Sequence, residues 1–187
     1  EMDESRVTLR QAIYETLKAE MAADEHLILL GEDICAYGGA FAVTRDLHEL
    51  YPERVINTPI SENSYVGVAV GAAMNGLRVV AEIMFMDFIT LAMDQIVNHA
   101  AKIHYMYDGQ LSVPIVIRAP FGGRRGYGPS HSQSLESWFM SVPGLKVVVP
   151  STPLLGAQLL RSAIRDDDPV IFLEHKLLYD QREQLRP

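Results

Sequence analysis

Six short apolar runs alternate with segments of helical periodicity along this 187-residue chain, at 27–30, 54–57, 79–84, 113–118, 146–149 and 170–173. Runs of this length, bounded by turn signals and continuous rather than alternating, are the mark of strands buried on both faces. The helical segments between them serve as crossovers, which in such sheets are right-handed. The pattern predicts an α/β fold: a parallel sheet of about six strands with helices on both faces. With 187 residues and 48% hydrophobic content, the chain can build one sizeable core and falls short of two comfortable domains, so 1–187 reads as one domain. In sheets of this kind ligands bind beyond the carboxyl ends of the strands. Function is therefore sought in the segments that follow strands.

The helices have their own signals. Thr8, followed three residues on by Gln11, forms a capping-box pattern, and Leu9, Ile13, Leu17 and Met21 then recur on one face. Further helices are expected at 43–50, 88–107, 134–141 and 154–164, the second with Leu91, Gln95, Asn98 and Lys102 at helical spacing. After the Thr58-Pro59 turn, Ser61 can cap a helix that carries Glu62 in its first turn and ends at Gly76. Gly67 and Gly71 lie one turn apart on it and leave a flat face for another backbone. The polar stretch 180–187 reads as the start of a linker.

Bulk properties exclude some classes of partner. A net charge of -8 and a pI near 5.2 argue against nucleic acid or an anionic membrane surface. The longest apolar stretch, 65–74, is too short to span a bilayer. The opening E-M-D-E-S-R is neither a signal nor a transit peptide. A single cysteine, Cys35, excludes an internal disulfide framework and predicts a reducing, cytoplasmic setting; Cys35 itself reads as a small filler.

Three segments carry chemistry, each with a plainer alternative. Glu62 at a helix start is either a dipole-matching residue or an acid aimed past the sheet edge. The loop G-G-R-R-G-Y-G-P-S-H (122–131) is either a surface loop or a close backbone approach in which Arg124 and Arg125 meet an anion. It is neither a Walker loop nor a dinucleotide fingerprint. His131, in S-H-S-Q-S, is either a satisfied structural histidine or an acid–base group whose tautomer is fixed by the flanking serines. His99 and His104, five apart, do not form a metal pair. There is no G-x-S-x-G elbow and no obvious nucleophile. An acid, the aromatic pair Phe85 and Phe88, and a histidine, without nucleophile or metal cluster, point to chemistry carried by a cofactor.

The motifs T-P-I-S-E (58–62) running on as E-x4-G-Φ-x-x-G to Gly71, G-E-D (31–33), Y-G-G (37–39), E-I-M-F-M-D-F (82–88), D-Q-I-V-N-H-A-A-K (94–102), G-P-S-H-S-Q-S-L-E (128–136), P-G-L-K-V-V (143–148), P-S-T-P (150–153) and I-R-D-D-D-P-V-I-F-L-E (164–174) occur in order along the chain. Together they resemble the beta subunit of thiamine-diphosphate-dependent 2-oxo acid dehydrogenase E1 components, in its pyrimidine-binding domain. The resemblance implies that Glu62 hydrogen-bonds N1′ of the aminopyrimidine and so promotes loss of the thiazolium C2 proton. It implies cofactor contacts from Ile60 and Phe88, with Phe88 packed on the pyrimidine ring. His131 would line the substrate channel and assist acyl transfer to lipoamide. A structural potassium ion would be held by Ile115, Ala163, Ile164, Asp166 and Asp168, mostly through carbonyls; on spacing alone, 166–168 is equally an ordinary acidic turn.

The implied reaction is oxidative decarboxylation of a 2-oxo acid, with pyruvate favoured over acetoin and branched-chain substrates. The implied partners are an E1 alpha subunit, the lipoyl domain of an E2 and a second copy met through the Gly67/Gly71 helix. No G-D-G motif for diphosphate and magnesium is present, and in the family that half belongs to the alpha subunit. The chain alone is therefore expected to be inactive. Family beta subunits continue for a further ~130 residues, about one domain, so the chain is expected to be a fragment or a split-gene product. A non-catalytic self-associating domain and a transketolase-type or deoxyxylulose-phosphate-synthase-type fragment are the competing expectations.

Overall fold

In the computed structural model, which describes residues 6–184, the chain runs β1 (Arg6–Thr8), α1 (Leu9–Ala23), β2 (Leu27–Gly31), α2 (Leu47–Leu50), β3 (Val55–Asn57), α3 (Glu62–Met74), β4 (Arg78–Glu82), α4 (Met86–Ile89), α5 (Ile103–Met106), β5 (Ile115–Phe121), α6 (Glu136–Met140), β6 (Lys146–Val148), α7 (Pro153–Arg165), β7 (Val170–His175) and β8 (Arg182–Gln184). The six expected apolar runs are β2 to β7, and all pair in parallel in the order β3-β2-β4-β5-β7-β6. The chain enters at β2, steps outward to β3, then returns past β2 to β4. Connections after β2 and β4 thus leave in opposite directions, and a crevice opens at their carboxyl ends.

Each face of the sheet buries its own core. On one side α1 and α7 cover it with Leu9, Ile13, Leu17, Met21, Leu160 and Ile164. Gly156 lets the two helices close up, since a Cβ there would lie 2.4 Å from Leu9 Cδ1. On the other side α3 and the 86–106 segment bury Val66, Ala69, Val70, Ile89, Ile96 and Ile103. Burying each large aliphatic side chain is worth about 1.5–3 kcal/mol. The capping box forms: Gln11 N–H donates to Thr8 Oγ1 at 3.1 Å, and Thr8 N–H donates to Gln11 Oε1 at 2.9 Å.

Three expectations need correction. The 88–107 segment is not one helix. Its apolar period survives, with Ile89, Ala92, Ile96, Ala100 and Ile103 buried. Its pitch changes, because the Thr90 hydroxyl takes the Asp87 carbonyl in a tight turn at Thr90–Ala92, and Ala101 N–H reaches back five residues to Ile96 in a wide turn at Gln95–Ala100. Side-chain periodicity reports the buried face and not the pitch. The stretch from Asp180 is not simply a linker, since Arg182–Gln184 pairs antiparallel with Arg6–Thr8; 185–187, like the opening 1–5, lies outside the described residues. Ser61 stands at the N-cap of α3, but its hydroxyl donates to Ser64 Oγ at 2.7 Å instead of taking a helix amide. Among the described residues no helix is long and apolar enough to cross a membrane.

The reciprocal Thr8–Gln11 cap fixes where α1 starts. Thr8→Ala should lower unfolding free energy by about 1 kcal/mol in denaturant titration.

Candidate functional site

The floor of the crevice follows from strand alternation. Along the α1/α7 face the rows read Val80 then Glu82, Val116 then Arg118, and Phe172 then Glu174, so that a charge follows the apolar residue in each row and Arg118 lies level with Glu82. Arg118, fully buried, donates through Nε and Nη2 to the two oxygens of Glu174 at 2.6 and 2.7 Å, and through Nη1 to Glu82 at 2.8 Å. Tyr179 adds its hydroxyl to Glu174 at 2.7 Å. Burial pushes the Glu82 carboxyl up, with Arg118 opposing. Although burial opposes it, the two carboxylates hold Arg118 above its usual range. Gly39, at φ +79°, crosses over Glu82 so closely that a Cβ would lie 2.0 Å from Glu82 Oε1. No side chain fits at that point.

Two groups of residues stand on this floor. The first is acidic. Glu62 is the first residue of α3, is 5% exposed, and its carboxylate makes no hydrogen bond or ion pair with a described residue. Glu32, just after β2, lies beside it with Oε1 buried and without a partner. Burial, then the Glu62 charge, raises the Glu32 pKa from 4.5 to about 7. Tyr65, one turn along α3, donates to the Glu82 carbonyl at 3.3 Å; burial and Glu32 push its hydroxyl up. Two neighbouring buried carboxylates do not readily ionise together.

The second group is aromatic. The His131 imidazole meets Phe85 and Phe88 edge-on, at 4.9 and 5.1 Å between ring centroids, and Ser130 Oγ lies 3.0 Å from its Nδ1. Phe85 also packs on Phe41 and Tyr127, and Phe41 on Tyr179 at 5.2 Å, which joins this group to the Arg118 floor. Ile60, 81% exposed, precedes the acidic group at the mouth of α3.

The structure therefore gathers Glu62, Phe88 and His131 at one end of the sheet, in the two groups described. The anion-binding reading of the loop finds Arg125 already engaged, with the Lys176 carbonyl at 3.1 Å and Asp180 at 3.4 Å. Ile115, Ala163, Ile164, Asp166 and Asp168 lie at the opposite end, at the start of β5, the end of α7 and the turn before β7. There Arg78 donates to the carbonyls of Ile164 and Asp166 at 3.1 and 2.9 Å, while Lys146 Nζ reaches Asp166 and Asp168 at 2.7 and 3.0 Å. The Ile164 and Asp166 carbonyls and the Asp166 and Asp168 carboxylates thus already accept from Arg78 and Lys146. A Cβ at Gly67 on the flat α3 face would lie 3.1 Å from Gln95 Oε1 of the same chain, whereas one at Gly71 would meet nothing within 4 Å. Glu32, Tyr65, Glu82, Arg118, Glu174 and Lys176 were not singled out by sequence reasoning. The available signal for Glu82, Arg118 and Glu174 was a charged residue within or just after an otherwise apolar strand run.

The chain is similar to known proteins over nearly its whole length. The family model described as "Transketolase, pyrimidine binding domain" matches residues 5–181. The chain is 50% identical over 182 residues to the pyruvate dehydrogenase E1 component subunit beta of Chaetosphaeridium globosum, covering 97% of this chain and 56% of that protein. It is 48% identical over 176 residues to the mitochondrial subunit beta-2 of Oryza sativa subsp. japonica, covering 94% and 47%. The chain thus spans about half the length of the curated relatives it matches. A solved structure titled "Split gene transketolase, inactive beta4 tetramer" shares the fold, with a TM-score of 0.76 at 22% identity over 97% of this chain and 55% of that one.

Because the Glu32 pKa is raised in the folded chain, that state binds more protons than the unfolded one between about pH 4.5 and 7. The Glu32 contribution to stability is then greatest below that window and falls as pH rises through it. Glu32→Gln should flatten the fall, leaving the variant more stable than wild type at about pH 8 but not at about pH 5, by denaturant titration at both.

Proposed function

The chain belongs to the transketolase pyrimidine-binding domain family, and on that premise we propose that it supplies the pyrimidine half of the thiamine diphosphate site in a 2-oxo acid dehydrogenase E1 component, of the pyruvate type. The observation that carries the reading is Glu62: a buried carboxylate without a protein partner, at a helix start, beside a second carboxyl group that favours its protonated form. Such a group fits a ring nitrogen that must be held by a hydrogen bond. The bound cofactor would supply the electron sink for decarboxylation.

The chain's own residues have separable tasks. Glu62 would hold the proton shared with N1′ of the aminopyrimidine. Glu32, with its carboxyl pKa raised to about 7, would limit the negative charge beside Glu62. Phe88 would pack against the pyrimidine, and Ile60 would contact the cofactor from the mouth of α3. His131, set between Phe85 and Phe88, can hold or pass a proton at its imidazole on the substrate side and so assist acyl transfer to lipoamide. The diphosphate and its magnesium would be held by an alpha subunit, the acyl acceptor would be the lipoyl domain of an E2, and Gly71 with the exposed Val68 would help seat a second copy on α3.

In a complex reconstituted with an alpha subunit, Glu62→Gln should lower 2-oxo acid turnover by on the order of 10²–10⁴-fold. Retained turnover would remove the basis of the proposal.

A further inference from the structure

Behind His131 lies a pair of charged side chains that no step above uses. Lys176, just after β7, is 0% exposed. Its ammonium donates to the backbone carbonyl of His131 and lies over the rings of Phe85 and Tyr127, 4.9 and 5.3 Å from their centroids. Asp87, at the start of α4, is 6% exposed. Its Oδ1 accepts from the backbone N–H of Gln133 at 3.1 Å and from Gln133 Nε2 at 2.9 Å, while its Oδ2 is buried with no hydrogen-bond partner.

We infer that Lys176 and Asp87 are positioning residues that clamp the backbone on the two sides of Ser132 and thereby set the His131 imidazole against Phe85 and Phe88. The clamp is built from opposite charges. One takes a carbonyl, the other an amide, and a single residue separates the two points. The loop needs such a device. It carries Gly122, Gly126 and Gly128 at positive φ, and Arg124 with them at φ +68°. A backbone this free does not hold an imidazole in place by itself. Burial lowers the Lys176 pKa and the Arg125 charge adds to that, while the Asp87 charge opposes it. The cation also lies over Phe85, whose ring edge His131 touches, so one side chain supports both the loop and the ring it rests on.

This inference rests on the reading of His131 as a functional group. Its test uses the full-length chain assembled with an alpha subunit, thiamine diphosphate, magnesium and a lipoylated acceptor. Lys176→Met keeps the length and apolar stem and removes the donor; Lys176→Arg keeps a donor. The Met variant should lower lipoamide-linked kcat at least roughly tenfold, within the hundredfold or so that a 1 Å misplacement can cost. The Arg variant should retain more turnover than the Met variant, which simple packing would not require. In a His131→Ala background Lys176→Met should cost little more, because both changes act through one group. Hydrogen exchange at the Gln133 amide should quicken in Lys176→Met.

Independent, multiplicative losses in the double variant, a Met variant as fast as wild type, or unchanged exchange at Gln133 would each overturn the clamp. If His131→Ala alone turns over normally, the reading of His131 fails, and exchange at Gln133 then decides the clamp by itself. Should Lys176→Met not assemble, Asp87→Asn, which keeps shape and volume, is put through the same three measurements.

Discussion

The guanidinium of Arg118 is the point on which the carboxyl end of the sheet depends. It ties β4, β5 and β7 through Glu82 and Glu174, and what lies above is built on those two carboxylates. Gly39 passes over Glu82, Tyr179 is fastened to Glu174, and from Tyr179 the ring contacts run through Phe41 and Phe85 to His131. The network is not a simple gain in stability. Replacing a buried ion group with apolar residues of similar volume is often neutral or stabilising, whereas removing one partner alone costs about 3–5 kcal/mol. What the ions provide is direction. A planar guanidinium accepts partners only along its fork, so the strand ends and the loops above them have one arrangement instead of several.

That dependence explains what could be read from the residues in order. The sheet was legible because β2, β4, β5 and β7 are buried on both faces and read as unbroken apolar runs. The start of α1 was legible because Thr8 and Gln11 carry both halves of a local cap. The pitch of 86–106 was not, since identical burial at Ile89, Ala92, Ile96, Ala100 and Ile103 is compatible with α, tight and wide turns. Nor was the β1–β8 pair, whose strands are three residues each and lie at opposite ends of the chain. Within the site, Glu62, Phe88 and His131 stood out through their motifs. The groups that hold them in place did not, because their partners lie far away: Arg118 to Glu174 is 56 residues, and Lys176 to His131 is 45.

The two groups of residues at the crevice divide the labour. The acidic group offers a buried, partnerless carboxylate whose neighbour tends to keep a proton. The aromatic group offers rings and an imidazole on a glycine-rich loop whose backbone Lys176 and Asp87 contact from behind. No diphosphate-binding motif accompanies them in the sequence. On the proposed reading the arrangement is half of a site, which would receive a cofactor anchored mainly by another chain.

Calorimetric titration of thiamine diphosphate with magnesium tests that claim most directly, first into this chain alone and then into this chain mixed with an E1 alpha subunit. The account predicts no measurable binding, or only weak binding, to the chain alone and tight binding to the mixture. Tight binding by the chain alone, or none by the mixture, would contradict it.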